Sequence, residues 1–165
     1  MNSDPFDALT LFQGFSPQEI AFLRPLFHPY HTPDGEILFN QGEPARNFYI
    51  IVDGEVVIRY KPEDGPALIL TRVHKEGVVG WSAAIGSPTY TSSAVCVENC
   101  QLLRVCSEEL RQFYEVHPET AQKLLERLAA VIAERLRQTH PQIMALLEQG
   151  LHSQTAQTVS AEWED

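Results

Sequence analysis

The spacing of apolar positions changes twice along the chain. Ile20, Leu23 and Phe27 recur at helical spacing behind Ser16-Pro17-Gln18-Glu19. Ser16 can cap, Pro17 suits a first helical position, and Glu19 can reach back to complete a capping box. This predicts a short amphipathic helix ended by Pro29, preceded by a lead-in anchored on Phe6, Phe12 and Phe15. From His28 to Val105 the runs shorten to strand length: Glu36–Phe39, Phe48–Val52, Val56–Tyr60, Leu68–Val73, Ala94–Val97 and Gln101–Val105. Turn residues punctuate them, and many short strands between glycine turns predict a β sandwich or barrel. Asp53-Gly54, lying between two apolar runs, predicts a hairpin. Ser107-Glu108-Glu109 then opens a second helix that runs to about Val116, and Pro118 restarts the chain as a longer one. Its apolar stripe is Leu124, Leu125, Leu128, Val131, Ile132 and Leu136, with Lys123, Glu126, Arg127, Glu134 and Arg137 left for solvent. Pro141 interrupts it, Ile143–Leu147 reads as a last helical piece, and a polar tail follows from Gly150.

The stretch Val78 to Val97, VVGWSAAIGSPTYTSSAVCV, breaks the barrel pattern. A β run ends at Val78-Val79, Gly80 turns the backbone, and Ser82 opens a very short segment of small residues ending at Ile85. Gly86-Ser87-Pro88 stops it, and the hydroxyl-rich Thr91-Ser92-Ser93-Ala94-Val95 resumes as strand. A glycine turn feeding one helical turn leaves backbone N–H groups, here those of Trp81 to Ala84, free to cradle an anion. The same pattern also describes a surface Ω-loop.

Composition narrows the function classes. A chain of 165 residues with 44% apolar content suits one domain, and no run is long and apolar enough to span a membrane. The start, MNSDPFDALT, lacks the layout of a signal peptide, so a cytoplasmic protein is expected. A net charge of −10 argues against a nucleic-acid surface. Cys96, Cys100 and Cys106 lack metal-ligand spacing and read as reduced thiols on or beside strands. His28, His31, His74, His117, His140 and His152 are scattered, with no HxH on a strand, and no GxSxG elbow is present. Neither a metal site nor a catalytic residue is expected.

With its glycine turns in order, the chain resembles the cyclic-nucleotide-binding domains of bacterial catabolite-activator sensors and of regulatory subunits of cyclic-AMP-dependent kinases. The similarity runs from Leu11 to about Leu136. Leu11–Ser16 with the capped helix resembles the family's first helix, Gly35–Ala45 its first glycine-bounded strand pair, and Phe48–Val56 its central hairpin. Val79, Gly80, Trp81, Ser82 and Ala83, with Thr91, Ser92 and Ser93, fall where the family places its phosphate-binding cassette. The resemblance implies a jelly-roll β-barrel with flanking helices, an α+β fold. It also implies a Glu just after the glycine for the ribose and an Arg at the next strand for the cyclic phosphate. Trp81-Ser82 follow Gly80 here, and Thr89-Tyr90-Thr91-Ser92-Ser93 contains no Arg. Trp81 is then either a stacking platform or a plug.

The expected organisation is a barrel with its N-terminal helix over residues 1–116, a dimerisation helix over 117–149 and a polar tail over 150–165, with no DNA-binding domain. A homodimer is expected through Leu124, Leu128, Val131 and Ile132, as the family pairs this helix, with a partner protein as a further route of output. DNA and membrane are not expected as partners. The leading expectation is a stand-alone, non-enzymatic sensor module whose diverged pocket takes a cyclic nucleotide or another small anionic ligand, with no resident cofactor. Alternatives are a protein-interaction pseudo-receptor with a filled pocket and a cupin-like metalloenzyme.

Overall fold

The computed structural model describes residues 4, 6–7 and 9–137, and the predicted tail and last helical piece lie outside them. The chain divides into two compact units, Met1–Ile132 and Ala133–Asp165, and the barrel with its cassette lies in the first. That unit takes in residues 118–132 together with the barrel, beyond the boundary at 116 drawn from the sequence.

Helix α1 (Pro17–Leu23) starts at the capping box predicted for it: the Glu19 N–H donates to Ser16 Oγ at 3.1 Å, and the Ser16 N–H donates to the Glu19 carboxylate at 3.0 Å. It ends earlier than the apolar spacing indicates. Pro25 has no N–H to continue the helical ladder, and the chain tightens into a 3-10 turn, Arg24–Leu26. Phe27 still reaches the core, where it meets Phe6 and Phe12 edge-on.

Eight strands follow: β1 (His28–Thr32), β2 (Ile37–Phe39), β3 (Asn47–Asp53), β4 (Val56–Tyr60), β5 (Leu68–Val73), β6 (Val78–Val79), β7 (Ser93–Cys96) and β8 (Cys100–Cys106). They form two four-stranded antiparallel sheets, ordered β1-β8-β3-β6 and β2-β7-β4-β5. Strand β3 is buried from Phe48 to Val52, which is why its sequence reads as a continuous apolar run. Strand β1 lies outside the runs the sequence pattern marks as strands. It lies at a sheet edge and pairs only with β8, a place that tolerates Pro29 and the exposed His31.

The hairpin predicted at Asp53-Gly54 does not form. β3 and β4 belong to different sheets, and Gly54, at φ +111, turns the chain from one to the other. A Cβ on Gly54 would lie 2.6 Å from Cys100 Sγ and 3.0 Å from the Asn99 carbonyl oxygen, so the corner closes only without a side chain.

Helix α2 (Ser107–Val116) follows β8 directly, and α3 covers residues 118–137. Lys123 of α3 donates to the Gly14 carbonyl at 2.8 Å and lies 4.7 Å above the Phe15 ring, tying the lead-in to α3. Thr10 is tied to the barrel by Glu76, whose carboxylate accepts from the Thr10 N–H and hydroxyl at 3.0 Å each. Glu76 itself sits at φ +72, an uncommon backbone state for a side-chain-bearing residue, with its N–H on the Ile51 carbonyl at 2.7 Å. The three thiols are free, with Cys96 and Cys100 buried. Burial, then proximity to Cys96, pushes the Cys100 thiol up to about 11.

Candidate functional site: the cassette between β6 and β7

Val79 ends β6 opposite Tyr49, fully buried. Gly80 then adopts φ +77, and Trp81–Ala83 form one turn of 3-10 helix. A Cβ on Gly80 would come within 3.0 Å of the Asn47 carbonyl oxygen and of the Phe39 ring, so the position demands glycine both for its backbone state and for space. The turn uses its own donors: the Ala83 N–H bonds to the Gly80 carbonyl at 3.0 Å and the Ala84 N–H to that of Trp81 at 2.9 Å. The N–H groups at the start of the turn are therefore those of Trp81 and Ser82, half of the cradle expected from the sequence. Ser82 and Ala83 are buried, and Trp81 is half-buried against the core.

The second half of the cassette pairs with the loop before β3. The Ala45 N–H bonds to the Pro88 carbonyl, the Gly42 N–H to that of Tyr90, and the Tyr90 N–H to that of Glu43, all at 2.9 to 3.0 Å. The Ser87 N–H closes back on the Ser82 carbonyl at 3.0 Å. The predicted hydroxyls fall in different environments: Thr91 is exposed, Ser92 is half-buried, and Ser93 Oγ accepts from the Gln41 N–H at 2.8 Å.

Sequence reasoning missed Tyr90, the one aromatic in the hydroxyl run. It is 5% exposed, and its hydroxyl donates to the Asn47 carbonyl at 2.5 Å and accepts from the Asn47 N–H at 3.0 Å. Its ring stacks on Phe39, centroids 3.9 Å apart, and Phe39 in turn lies parallel to Tyr49 at 6.4 Å. Tyr30 continues the row beside Tyr49, with Arg104 over its ring. Burial raises the Tyr90 phenol above its ordinary range. The same cause, reinforced by Tyr90 and Tyr30, pushes Tyr49 up to about 12.

No arginine occurs between Arg72 and Arg104. Arg72 is paired with Glu55 at 3.1 Å. Behind the cassette, Ala83 and Ala84 face α2 across a cleft of about 470 Å³, closed by Leu110, Tyr114 and Leu125. Among the described residues, no three His, Cys, Asp or Glu side chains converge as a metal site. His28 bonds Glu109, and His117 stacks on Phe22.

Of the four residues assigned to a dimer seam, Leu124 and Leu128 are spent on the core of their own chain, at 0% and 2% exposure. Val131 and Ile132 are half-buried and retain apolar surface.

A profile of the cyclic nucleotide-binding domain matches residues 30–117. A CRP-like cAMP-activated global transcriptional regulator of Mycobacterium tuberculosis is 31% identical over 137 residues, covering 83% of this chain and 59% of the regulator. The chain thus spans about three-fifths of the length of that relative. A cyclic nucleotide-binding domain from Methylobacillus flagellatus superposes with a TM-score of 0.74 at 21% identity, covering 86% of this chain and 79% of the other. A cyclic nucleotide-binding protein from Geobacter metallireducens gives 0.70 at 20% identity, covering 82% of this chain and 98% of the other. With the glycine-bounded cassette between β6 and β7 and the double-sheet barrel around it, these matches establish that the chain belongs to the cyclic nucleotide-binding domain family.

Proposed function

We propose that the protein is a non-enzymatic regulatory module of the cytoplasm that senses a small ligand at the cassette and signals through a homodimer or a partner protein, without contacting DNA or membrane. In this reading residues 1–116 sense, 117–149 dimerise and 150–165 form a polar tail. The single observation behind it is a cassette that keeps its glycine geometry while its charged chemistry is gone. Gly80 holds the left-handed turn, yet Trp81 stands next to it and no arginine lies on the cassette or β7.

A phosphate buried without an arginine loses a bidentate, charge-assisted contact. Removing one side of such a pair costs about 2–5 kcal/mol, roughly thirty- to several-thousand-fold in affinity. The ligand is therefore not cyclic AMP held in the family's usual manner. The remaining donors, the Trp81 and Ser82 N–H groups with the Ser92 and Thr91 hydroxyls, suit a smaller or less charged anion.

A second reading, a pseudo-receptor that binds protein and no small ligand, is favoured by the aromatic packing of Tyr90, Phe39 and Tyr49 and by Trp81 lying against the core. Calorimetric titration with cyclic AMP and cyclic GMP tests the first claim: dissociation constants well above micromolar are expected, and micromolar or tighter binding refutes it. A screen of small anions by thermal shift separates the two readings, since a ligand-dependent rise in melting temperature supports the sensor and its absence the pseudo-receptor.

A further inference from the structure

Both ends of the cassette lie against one residue of its own barrel, Asn47. At the start, Gly80 abuts the Asn47 carbonyl and the Phe39 ring. At the end, the Tyr90 hydroxyl both donates to that carbonyl, at 2.5 Å, and accepts from the Asn47 N–H, at 3.0 Å, while its ring stacks on Phe39 at 3.9 Å. Between them Trp81, Ser82 and Ala83 pack toward the core, backbone bonds hold Ser87, Pro88 and Tyr90, and the side chains from Ala84 through Thr89 are small or exposed and bury little apolar area. Those backbone bonds are exchanged for bonds to water when the loop opens, so buried side chains must supply a large part of its ordering free energy. At the near end Trp81 is half-buried, at the far end Tyr90 is the large side chain that is fully buried, and Asn47 is the first residue of the buried strand β3.

The same strand start also holds α2: the Ser107 N–H, in its first turn, donates to the Arg46 carbonyl at 2.7 Å. Residues 46 and 47 therefore carry the beginning of α2 on one backbone carbonyl and the cassette on the next.

We propose that Tyr90 is a built-in latch that keeps the cassette closed without any ligand and links its position to α2 through the backbone of Arg46 and Asn47. The latch stands on the fold alone and holds whether or not a ligand binds at the cassette. It places any signal from this module downstream of an already closed cassette, so that release of the latch, rather than closure, is the change of state.

Amide hydrogen exchange on the full chain, with no ligand added, tests this. In the unsubstituted protein the Asn47, Gly42, Ala45 and Ser87 amides should be protected. Tyr90→Phe keeps the ring and its stacking but removes both hydroxyl bonds. It should speed exchange at these amides and at Ser107 about tenfold or more, the effect of a lost buried hydrogen-bonding group. The amides of residues 50–52 and 102–105 should be unchanged, marking an intact barrel. Phe39→Leu, which removes the stacking platform and keeps the hydroxyl, should loosen the same cassette amides. Three results would overturn the proposal: cassette amides that already exchange like an open loop, a Tyr90→Phe protein whose cassette stays as protected as before, or one whose barrel amides speed up in parallel with the cassette.

Discussion

Gly80→Ala probes the point on which the cassette turns. Two costs can be read from the structure. The backbone sits at φ +77, and holding an L-residue with a Cβ in the left-handed region costs about 1–2 kcal/mol. The new methyl would also lie 3.0 Å from the Asn47 carbonyl oxygen, 3.0 Å from Phe39 and 3.3 Å from the Phe48 backbone. Two of those three neighbours are backbone of a buried strand. The third, the Phe39 ring, is stacked on Tyr90 at 3.9 Å and has little room to give. Displacing such packed groups by a few tenths of an ångström adds about 1–2 kcal/mol, the usual scale of mild overpacking. The sum, about 2–4 kcal/mol, corresponds in a chain of this size to a fall in melting temperature of roughly 5–15 °C. Differential scanning calorimetry measures it. A double-mutant cycle with Phe39→Leu gives a sharper reading. Because the strain is shared through the ring, the double variant should be less destabilised than the sum of the singles by about 0.5 kcal/mol or more. A Gly80→Ala protein within about 0.5 kcal/mol of the parent, the range of an ordinary surface change, would show that neither the backbone state nor the contacts constrain this position.

Gly54→Ala should destabilise more than Gly80→Ala, because its Cβ would meet Cys100 Sγ at 2.6 Å in addition to a backbone state of φ +111; equal or smaller loss in urea titration would contradict the corner geometry. Alkaline titration should lower stability between pH 10 and about 12: the folded-state pKa of Tyr49 lies above its ordinary 10, so the protonated form is favoured on folding and that stabilisation disappears as pH rises through this window. Tyr49→Phe should flatten that part of the melting-temperature profile, and an unchanged profile refutes the assignment. Val131→Asp with Ile132→Asp should convert a dimer to a monomer with an unaltered β-sheet circular dichroism signal, as the two positions are half-buried in the single chain; light scattering showing the parent monomeric at tens of micromolar would end the dimer proposal.

Most strands were legible because they are short apolar runs bounded by turns, and β4 and β5 fall on the residues read from the sequence. What failed were the places where pairing, not pattern, decides. Asp53-Gly54 carries a hairpin signal, but β3 is buried on both faces and takes β8, some fifty residues on, as its partner, leaving β4 to the other sheet. No local alternation distinguishes these outcomes. β1 was hidden for the opposite reason: His28, Pro29, Tyr30 and His31 have edge-strand chemistry, half-exposed and interrupted by a proline, so no apolar run announces them. In α1 the spacing of Phe27 matched a helix, while the missing N–H of Pro25 two residues earlier had already closed it.

The site divides along the same line. Its frame was legible, since a left-handed turn that abuts a backbone carbonyl leaves glycine as the sterically free choice, and Gly80 can be read directly. The loss of the family's charges was legible too, because a missing arginine is a fact of the sequence. The contact that holds the far end of the cassette was not. Tyr90 acts on the backbone of Asn47, and a backbone N–H and carbonyl are alike at nearly every residue, so no partner side chain marks the interaction in advance. A salt bridge between a cassette and its ligand leaves a signature of charge, whereas a phenol bound to backbone leaves only a tyrosine among hydroxyl residues. In the proposed reading the electrostatic demand for a phosphate is gone, and the contact Tyr90 makes is satisfied within the chain. Under the latch proposed for Tyr90, a cassette closed in this way would accept a neutral or weakly charged ligand, or none, with the same tyrosine holding it shut in either state.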